Sequence, residues 1–264
     1  MARATVMMVT YNRLNLSKRT FESTLKNAGE KYNLVIIDNN SEDDTVKWLI
    51  DNIDEYDLIE DYRVVKLNEN NGISYGRNMG LKICDDNFPT EYLCTLDNDV
   101  ELPSGWLRDC CNVLKNNSKI GACGVNLEGI RYNKAFIKTK DGNKPIEIQI
   151  KQRGNLGTAA MVFPYAIHEK VGYFCSDFKY YGHEDALFGW VCRMIKPMLV
   201  YLGENGNHLG VGTEDEGEYR EMKNKYWDIN MPIFHDNVKR YRNGSKPIYT
   251  DFVPNKEEIW MKSK

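Results

Sequence analysis

The feature that most constrains the fold is an order repeated along the first hundred residues: a short β-prone run, a polar loop, then a stretch of helical spacing. Thr5 to Thr10 (TVMMVT) ends in a polar loop, and Leu14 to Leu25 then carries Leu14, Leu16, Phe21 and Leu25 at loose helical intervals. Leu34 to Ile37, the acidic loop DNNSEDD and a helix through Val46, Trp48, Leu49 and Ile50 repeat the order, with Ser41 or Asp43 as the expected cap. Tyr62 to Leu67 leads through NENNG into a helix from about Ser74 to Cys84, and a fourth run, Glu91 to Leu96, ends on Asp97, Asn98 and Asp99. Such alternation predicts an α/β fold around a mostly parallel, doubly wound sheet. Ligands of these sheets gather at the carboxyl ends of the strands. The loops at 10–13, 38–44, 68–72 and 97–99 are therefore expected to face one crevice.

Further along, a helix is expected over Trp106 to Leu114, with β-prone pieces at Ile120 to Leu127 and, after the turn DGNKP, at Ile146 to Ile150. Gly157 to Phe163 is small and apolar, and Asp185 to Met194 reads as a helix. Beyond Asp215 the chain becomes rich in Lys, Arg, Tyr and Asn, and Pro232, Pro247 and Pro254 are expected to break it into short pieces packed on the main domain. A length of 264 residues with 42% hydrophobic content supplies a substantial core and excludes a disordered tail protein. The net charge of −3 gives no overall field to hold a polyanion, so any nucleic-acid contact needs a local patch. With no membrane-length apolar run and no leader-like N-terminus, a soluble, cytoplasmic protein is expected. The seven cysteines form no CxxC pair and no zinc spacing, and are expected as reduced, buried thiols.

Four places carry chemistry. Asp97 and Asp99 gather two carboxylates at the end of an apolar strand, where a divalent cation offsets their repulsion; oxygen ligands suit Mg²⁺ or Mn²⁺, and a solvated turn is the alternative. Glu184-Asp185, in YYGHEDALFGW, stands at a helix start beside Tyr180, Tyr181 and Trp190, a possible stacking wall for a sugar or base. Asp185 is thus a candidate general base with Glu184 as its hydrogen-bond partner, against the alternative of an acidic helix cap. His208, in the Gly-rich LGENGNHLGVG, is a candidate metal ligand or a structural loop histidine, while His183 adjoins the acidic pair. Arg77 and Asn78 are expected to open a helix and meet phosphate or a base edge, or else to form an exposed salt bridge.

These pieces in this order resemble family 2 glycosyltransferases of the GT-A fold: VTYNR, VIIDNNSEDDT, NENNGISYGRNMGL, YLCTLDNDVELPSGWL, GNLGTAAMVFP and GHEDALFGWVCR followed by NHLG. The resemblance implies a Rossmann-like sheet flanked by helices, with residues 1–214 as the GT-A domain and 215–264 as a C-terminal accessory segment. Within the domain, 1–100 is the nucleotide-binding half and 101–214 the acceptor-binding half. It implies an enzyme, a hexosyl- or pentosyltransferase, that moves sugar from a nucleotide-diphosphate sugar, UDP favoured, to an acceptor hydroxyl. Residue by residue, Thr10, Tyr11 and Arg13 match the loop bordering the nucleoside, and Asp38, with Asn40 in the same loop, the element recognising the base. Asn71, Gly72 and Arg77 fall in the second nucleotide loop. Asp97, Asn98 and Asp99 match the Asp-x-Asp element, with Asp99 the direct metal ligand and Asp97 a ribose, sugar or metal contact. Gly157 and Thr158 lie beside the donor sugar, Asp185 matches the base, and His208 the third metal position. The QxxRW element of processive synthases is absent, so a polymerising synthase is not expected.

The mechanism this implies is metal-dependent and inverting, with Arg77 and the metal neutralising the departing diphosphate while Asp185 takes the acceptor proton. A nucleotidyltransferase is one alternative, although VTYNRLN has no glycine for a phosphate loop; a non-catalytic sugar- or partner-binding module is another. A glycan or lipid-linked saccharide is the expected acceptor, and peripheral membrane contact is compatible with it. The tail residues Tyr226, Trp227 and Tyr241 with Lys223, Lys225, Lys239, Arg240 and Arg242 also have the composition of a nucleic-acid surface, which keeps a hydroxymethylated DNA base as a minority option.

Overall fold

A computed structural model describes residues 2–139, 144–151, 156–209, 217–254 and 258–263. The chain opens with β1 (Ala4–Thr10), α1 (Leu14–Thr20), β2 (Tyr32–Asp38), α2 (Thr45–Asn52), β3 (Ile59–Leu67), α3 (Ile73–Asn87) and β4 (Tyr92–Asp97). There follow β5 (Val100–Glu101), α4 (Trp106–Asn116), β6 (Ile120–Asn126), β7 (Asn133–Ile137), β8 (Ile146–Ile150), β9 (Ala160–Pro164) and α5 (Tyr165–Val171). The remainder is α6 (Glu184–Ile195), β10 (Met198–Asn205), β11 (Asn207–His208), α7 (Gly217–Arg242) and β12 (Glu258–Ser263).

Ten strands form one sheet in the order β12-β3-β2-β1-β4-β9-β6-β10-β8-β7. Strands β3, β2, β1 and β4 pair in parallel, as do β6 and β10. Strand β9 inserts antiparallel between β4 and β6, so both parallel blocks point the same way. Every residue of β1 and of β2 is buried, the pattern of strands covered on both faces. Alternate side chains sort accordingly. Val6, Met8, Leu34 and Ile36 join α4 through Trp106 and Leu107, while Met7, Val9, Val35 and Ile37 join α3 and α6 through Met79, Leu81, Leu187 and Phe188. All seven cysteines are buried and free, as expected.

The expected α/β architecture is present, with three differences. The helix expected to run to Leu25 widens after Thr20 into a π-helical turn, Phe21–Leu25. There Thr24 O accepts from Trp106 Nε1, and Thr24 Oγ1 meets Val100 O and Leu102 N, so the turn is shaped by the β5 segment packed on it. Neither expected residue caps α2 from the Ncap position, which is Asp44; Asp43 nevertheless accepts from Thr45 N at 3.0 Å, while Ser41 Oγ turns to Asp38. Strand β9 starts at Ala160, leaving Gly157 and Thr158 in the preceding loop and turn.

The last difference is the largest. Pro232 sits inside a 26-residue helix, α7, and does not break it. Proline costs this helix one backbone bond. Packing of Ile233, Phe234 and Val238 against the sheet-side core, with the side-chain anchors of Asn230 and Asn237 on either side, holds the helix through that point. The tail then returns to the sheet, where β12 pairs antiparallel with the edge of β3. The expected boundary at 214/215 lies outside the described residues.

Candidate active site

The register of the parallel strands sets the site. Thr10 pairs with Asp38 and Val9 with Asp97, so the loops leaving β1, β2 and β4 emerge side by side. They open on a cleft of about 440 Å³ lined by Thr10, Tyr11, Arg13, Arg77, Asp97, Asn98, Asp99, Glu184, Asp185 and His208, among others. A larger cavity of about 670 Å³, around Trp106, Arg108 and Glu204, shares none of these residues.

The turn after β4 buries Asp99, and Arg13 donates to its Oδ2 at 3.0 Å from a left-handed backbone, φ 64°. The small β5–β11 ladder seats His208 opposite Val100, and Leu209 N donates to Asp99 O at 2.7 Å. His208 Nε2 thereby lies 3.7 Å from Asp99 Oδ1. One atom each from Asp97, Asp99 and His208 fall within 4.8 Å of one another, and His208 Nδ1 is buried without a hydrogen-bond partner among the described residues. Burial raises the Asp99 carboxyl above its ordinary range, the nearby imidazole opposes this, and Asp97 adds to it. Two carboxylates and an imidazole meeting at close range fit a divalent cation of the Mg²⁺ or Mn²⁺ type. Asn98 lines the cleft while donating to Ser17 Oγ at 2.9 Å.

Arg77 lies in the second turn of α3, beyond the helix start that was expected of it. One end of its guanidinium donates to Asp97 Oδ1 at 2.8 Å, the other to Glu184 Oε1 at 2.7 Å, with the Phe174 ring 5.4 Å away. The exposed salt bridge weighed from sequence is thus a buried double one. Asn78 is a structural clamp, exchanging hydrogen bonds with the Phe174 backbone at 2.9 and 2.7 Å. Glu184 and Asp185 open α6, as expected. Burial and the neighbouring Asp185 push the Glu184 carboxyl up to about 7 against the pull of Arg77. Asp185 is raised by burial too, with Arg77 and the Ala186 N–H opposing; that N–H donates to Oδ1 at 2.6 Å.

Other expected contacts are placed differently. Asp38 is fully buried and off the cleft wall, because Ser41 N at 2.8 Å, Ser41 Oγ at 2.5 Å and Thr10 Oγ1 at 3.1 Å occupy its oxygens. Burial raises its carboxyl and these donors lower it. Asn40, with φ 66°, shapes the loop and Asn71 stands aside, whereas Asn39 and Asn70 line the cleft, linked at 2.7 Å. Gly72 lines it too, and a Cβ there would fall 2.6 Å from the Tyr180 Cα. Gly157 approaches Asp185, Oδ2 lying 3.9 Å from where a Cβ would stand, and Thr158 is buried, with no partner for Oγ1 among the described residues.

The far wall combines Tyr180, Tyr181 and Gly182 with Met222, Lys223, Tyr226 and Trp227 of α7. Asn230 fixes the two together: its Oδ1 accepts from Lys179 N at 2.9 Å, and its Nδ2 serves Lys179 O, Tyr181 O and Gly182 O at 2.7, 2.8 and 3.1 Å. Trp190, expected in this wall, faces Tyr241 instead, at 6.0 Å between ring centroids. Asn39, Asn70 and the α7 residues were not singled out as cleft-lining from the sequence. The doubled asparagines in DNN and NENNG were the available signal for the first two, whereas α7 required the tertiary fold.

Solved structures of similar fold include the following three. TarS from S. aureus, solved as residues 1–349 with UDP-GlcNAc, superposes with a TM-score of 0.59 at 17% identity, covering 84% of this chain and 61% of that one. The mannosyltransferase PcManGT from Pyrobaculum calidifontis, with GDP-Man and Mn²⁺, gives 0.55 at 15%, covering 76% and 56%. GalNAc-T7 with UDP, GalNAc and Mn²⁺ gives 0.58 at 14%, covering 78% and 42%. The chain therefore spans less than two thirds of each of these chains. No curated protein matches its sequence. Residues 5–177, from β1 past α5 and containing the Asp97-Asn98-Asp99 element, match the family described as Glycosyl transferase family 2, and the chain belongs to that family.

Proposed function

We propose that this cleft binds a nucleotide-diphosphate sugar, UDP-linked by preference, with Mn²⁺ or Mg²⁺, and transfers the sugar with inversion to an acceptor hydroxyl. The observation that carries the reading is the placement of Asp185 in one cleft with the Asp97, Asp99 and His208 cluster. Support for the donor comes from the structures of similar fold, which were solved in complex with UDP, UDP-GlcNAc and GDP-Man.

Asp99, His208 and Asp97 would hold the metal, which when bound neutralises charge on the diphosphate. Asp185 accepts the acceptor O–H proton as that oxygen bonds to the anomeric carbon and the bond to the β-phosphate oxygen breaks on the opposite face. Its burial strengthens it as a base, while Arg77 and the α6 N-terminus favour its ionised form. The direct diphosphate role expected of Arg77 is replaced by positioning, since its two ends hold Asp97 and Glu184. Thr10, Tyr11, Asn39 and Asn70 border the nucleoside in this reading.

A glycan or lipid-linked saccharide acceptor suits the aromatic far wall. The modified-DNA option loses Tyr241, which is buried against Trp190. Among the described residues no helix is long and apolar enough to cross a membrane, and the free thiols suit a reducing, cytoplasmic setting. The test is Asp185→Asn: the thermal shift given by the correct donor is expected to persist while transfer falls by roughly 10²–10⁴. Near-normal turnover would sink the assignment, and pyrophosphate release from a sugar phosphate and a nucleoside triphosphate would indicate a nucleotidyltransferase instead.

A further inference from the structure

The two arginines of the cleft already serve carboxylates, Arg13 at Asp99 and Arg77 at Asp97 and Glu184. A third long cation enters from α7, outside the stretch that matches the family. Lys223 lines the cleft, and its Nζ lies 4.9 Å from the centroid of the Tyr181 ring. Its placement is fixed by the helix. Lys223, Tyr226, Trp227 and Asn230 fall at i, i+3, i+4 and i+7 and so share one face. Asn230, fully buried at the end of that row, accepts from Lys179 and donates to the carbonyls of 179, 181 and 182. The same bonds hold the Tyr181 backbone, so ring and ammonium are set by one anchor. Lys223 is also near enough to Asp99 for its charge to favour that carboxylate.

We propose that Lys223 is the protein's cation for the β-phosphate of the departing nucleoside diphosphate, reaching it from α7 in the cleft that Asp99 also lines. The inference rests on the donor reading above. A diphosphate seated against the Asp97, Asp99 and His208 cluster lies in the cleft that Lys223 also lines, where an ammonium on a four-carbon stem can turn from the ring face to phosphate. As the bond to the anomeric carbon breaks, the electron pair stays on the β-phosphate oxygen, and a cation there counts for more in the transition state than in the ground state.

Titration of UDP, GDP, uridine and guanosine into wild type, Lys223→Met and Lys223→Arg with Mn²⁺ tests this. The methionine keeps the stem and removes the charge, and equal Tm values confirm that α7 is intact. Lys223→Met is expected to weaken the preferred diphosphate on the order of tenfold or more, to leave its nucleoside unchanged, and to be largely rescued in Lys223→Arg. Unchanged diphosphate affinity in Lys223→Met, or equal loss for nucleoside and diphosphate, overturns the assignment. If wild type binds neither diphosphate, the donor reading itself fails and Lys223 falls with it.

Discussion

Arg77 donates to Glu184 Oε1 at 2.7 Å, and through this contact Glu184, the neighbour of the proposed base Asp185, shares one buried cation with the metal-side carboxylate of Asp97. The other end of the guanidinium serves Asp97 at 2.8 Å, and the geometry needs a planar fork with two separated donors. Arg77→Ala leaves Glu184 buried and uncompensated and is expected to cost about 3–5 kcal/mol of stability. Arg77→Lys, one ammonium in place of the fork, should recover little of it. Urea denaturation checks both, and the double variant Arg77→Ala/Glu184→Gln should be more stable than Arg77→Ala alone.

Glu184 supplies a pH signature. Burial and Asp185 raise its carboxyl from 4.5 in the unfolded chain to about 7 in the fold. The folded state therefore binds the extra proton, so its contribution is fully present below pH 4.5 and is lost as pH rises through about 7. Glu184→Gln stays neutral at every pH and lacks this loss. Thermal melts from pH 4.5 to pH 7.5 should show the Tm of the variant gaining on that of wild type as pH rises. A constant difference between the two curves would contradict the raised carboxyl.

The metal cluster makes a separate prediction. Native-state binding at 100 times Kd stabilises by about 2.7 kcal/mol, so Mn²⁺ should raise the wild-type Tm by a readable amount. Asp99→Asn and His208→Ala should each reduce that shift, and the Asp99 change should do so more strongly because it weakens an anionic oxygen ligand. An equal Mn²⁺ shift in all three proteins would remove Asp99 and His208 from the site.

How far these residues were legible in the sequence follows from what each one depends on. Asp97, Asp99 and Asp185 stand at strand and helix ends, which periodicity locates, and the parallel register then brings them together. His208 needed the β5–β11 ladder to reach Asp99, yet a loop histidine among glycines was visible as a candidate. Asp38 had the right residue type and strand end, but Ser41, three residues on, folds back and takes its oxygens. That is a loop conformation which residue type does not encode. The tail misled most. Proline reads as a breaker when only local backbone cost is counted, and the offsetting grip of Asn230 on residues 179–182 is a contact 48 to 51 positions away in sequence.

The aromatic wall yields the last prediction. Tyr180 holds a non-glycine backbone at φ 33°, kept there as its carbonyl accepts from Ile73 N at 2.8 Å, and its ring meets Tyr226 at 4.8 Å. Strain of this kind is retained where it presents a side chain usefully. Beside it, Trp227 rests on the His183 imidazole at 4.0 Å, and burial lowers the His183 pKa, so a neutral ring backs the indole at pH 7. Tyr180 and Trp227 are 47% and 45% exposed, leaving apolar surface open to an incoming ring in the cleft that Asp185 also lines. Trp227→Ala should raise the acceptor KM by roughly three- to tenfold and leave donor hydrolysis in the absence of acceptor unchanged, because water needs no platform. A fall in donor hydrolysis with an unaltered acceptor KM would place the wall against the donor instead.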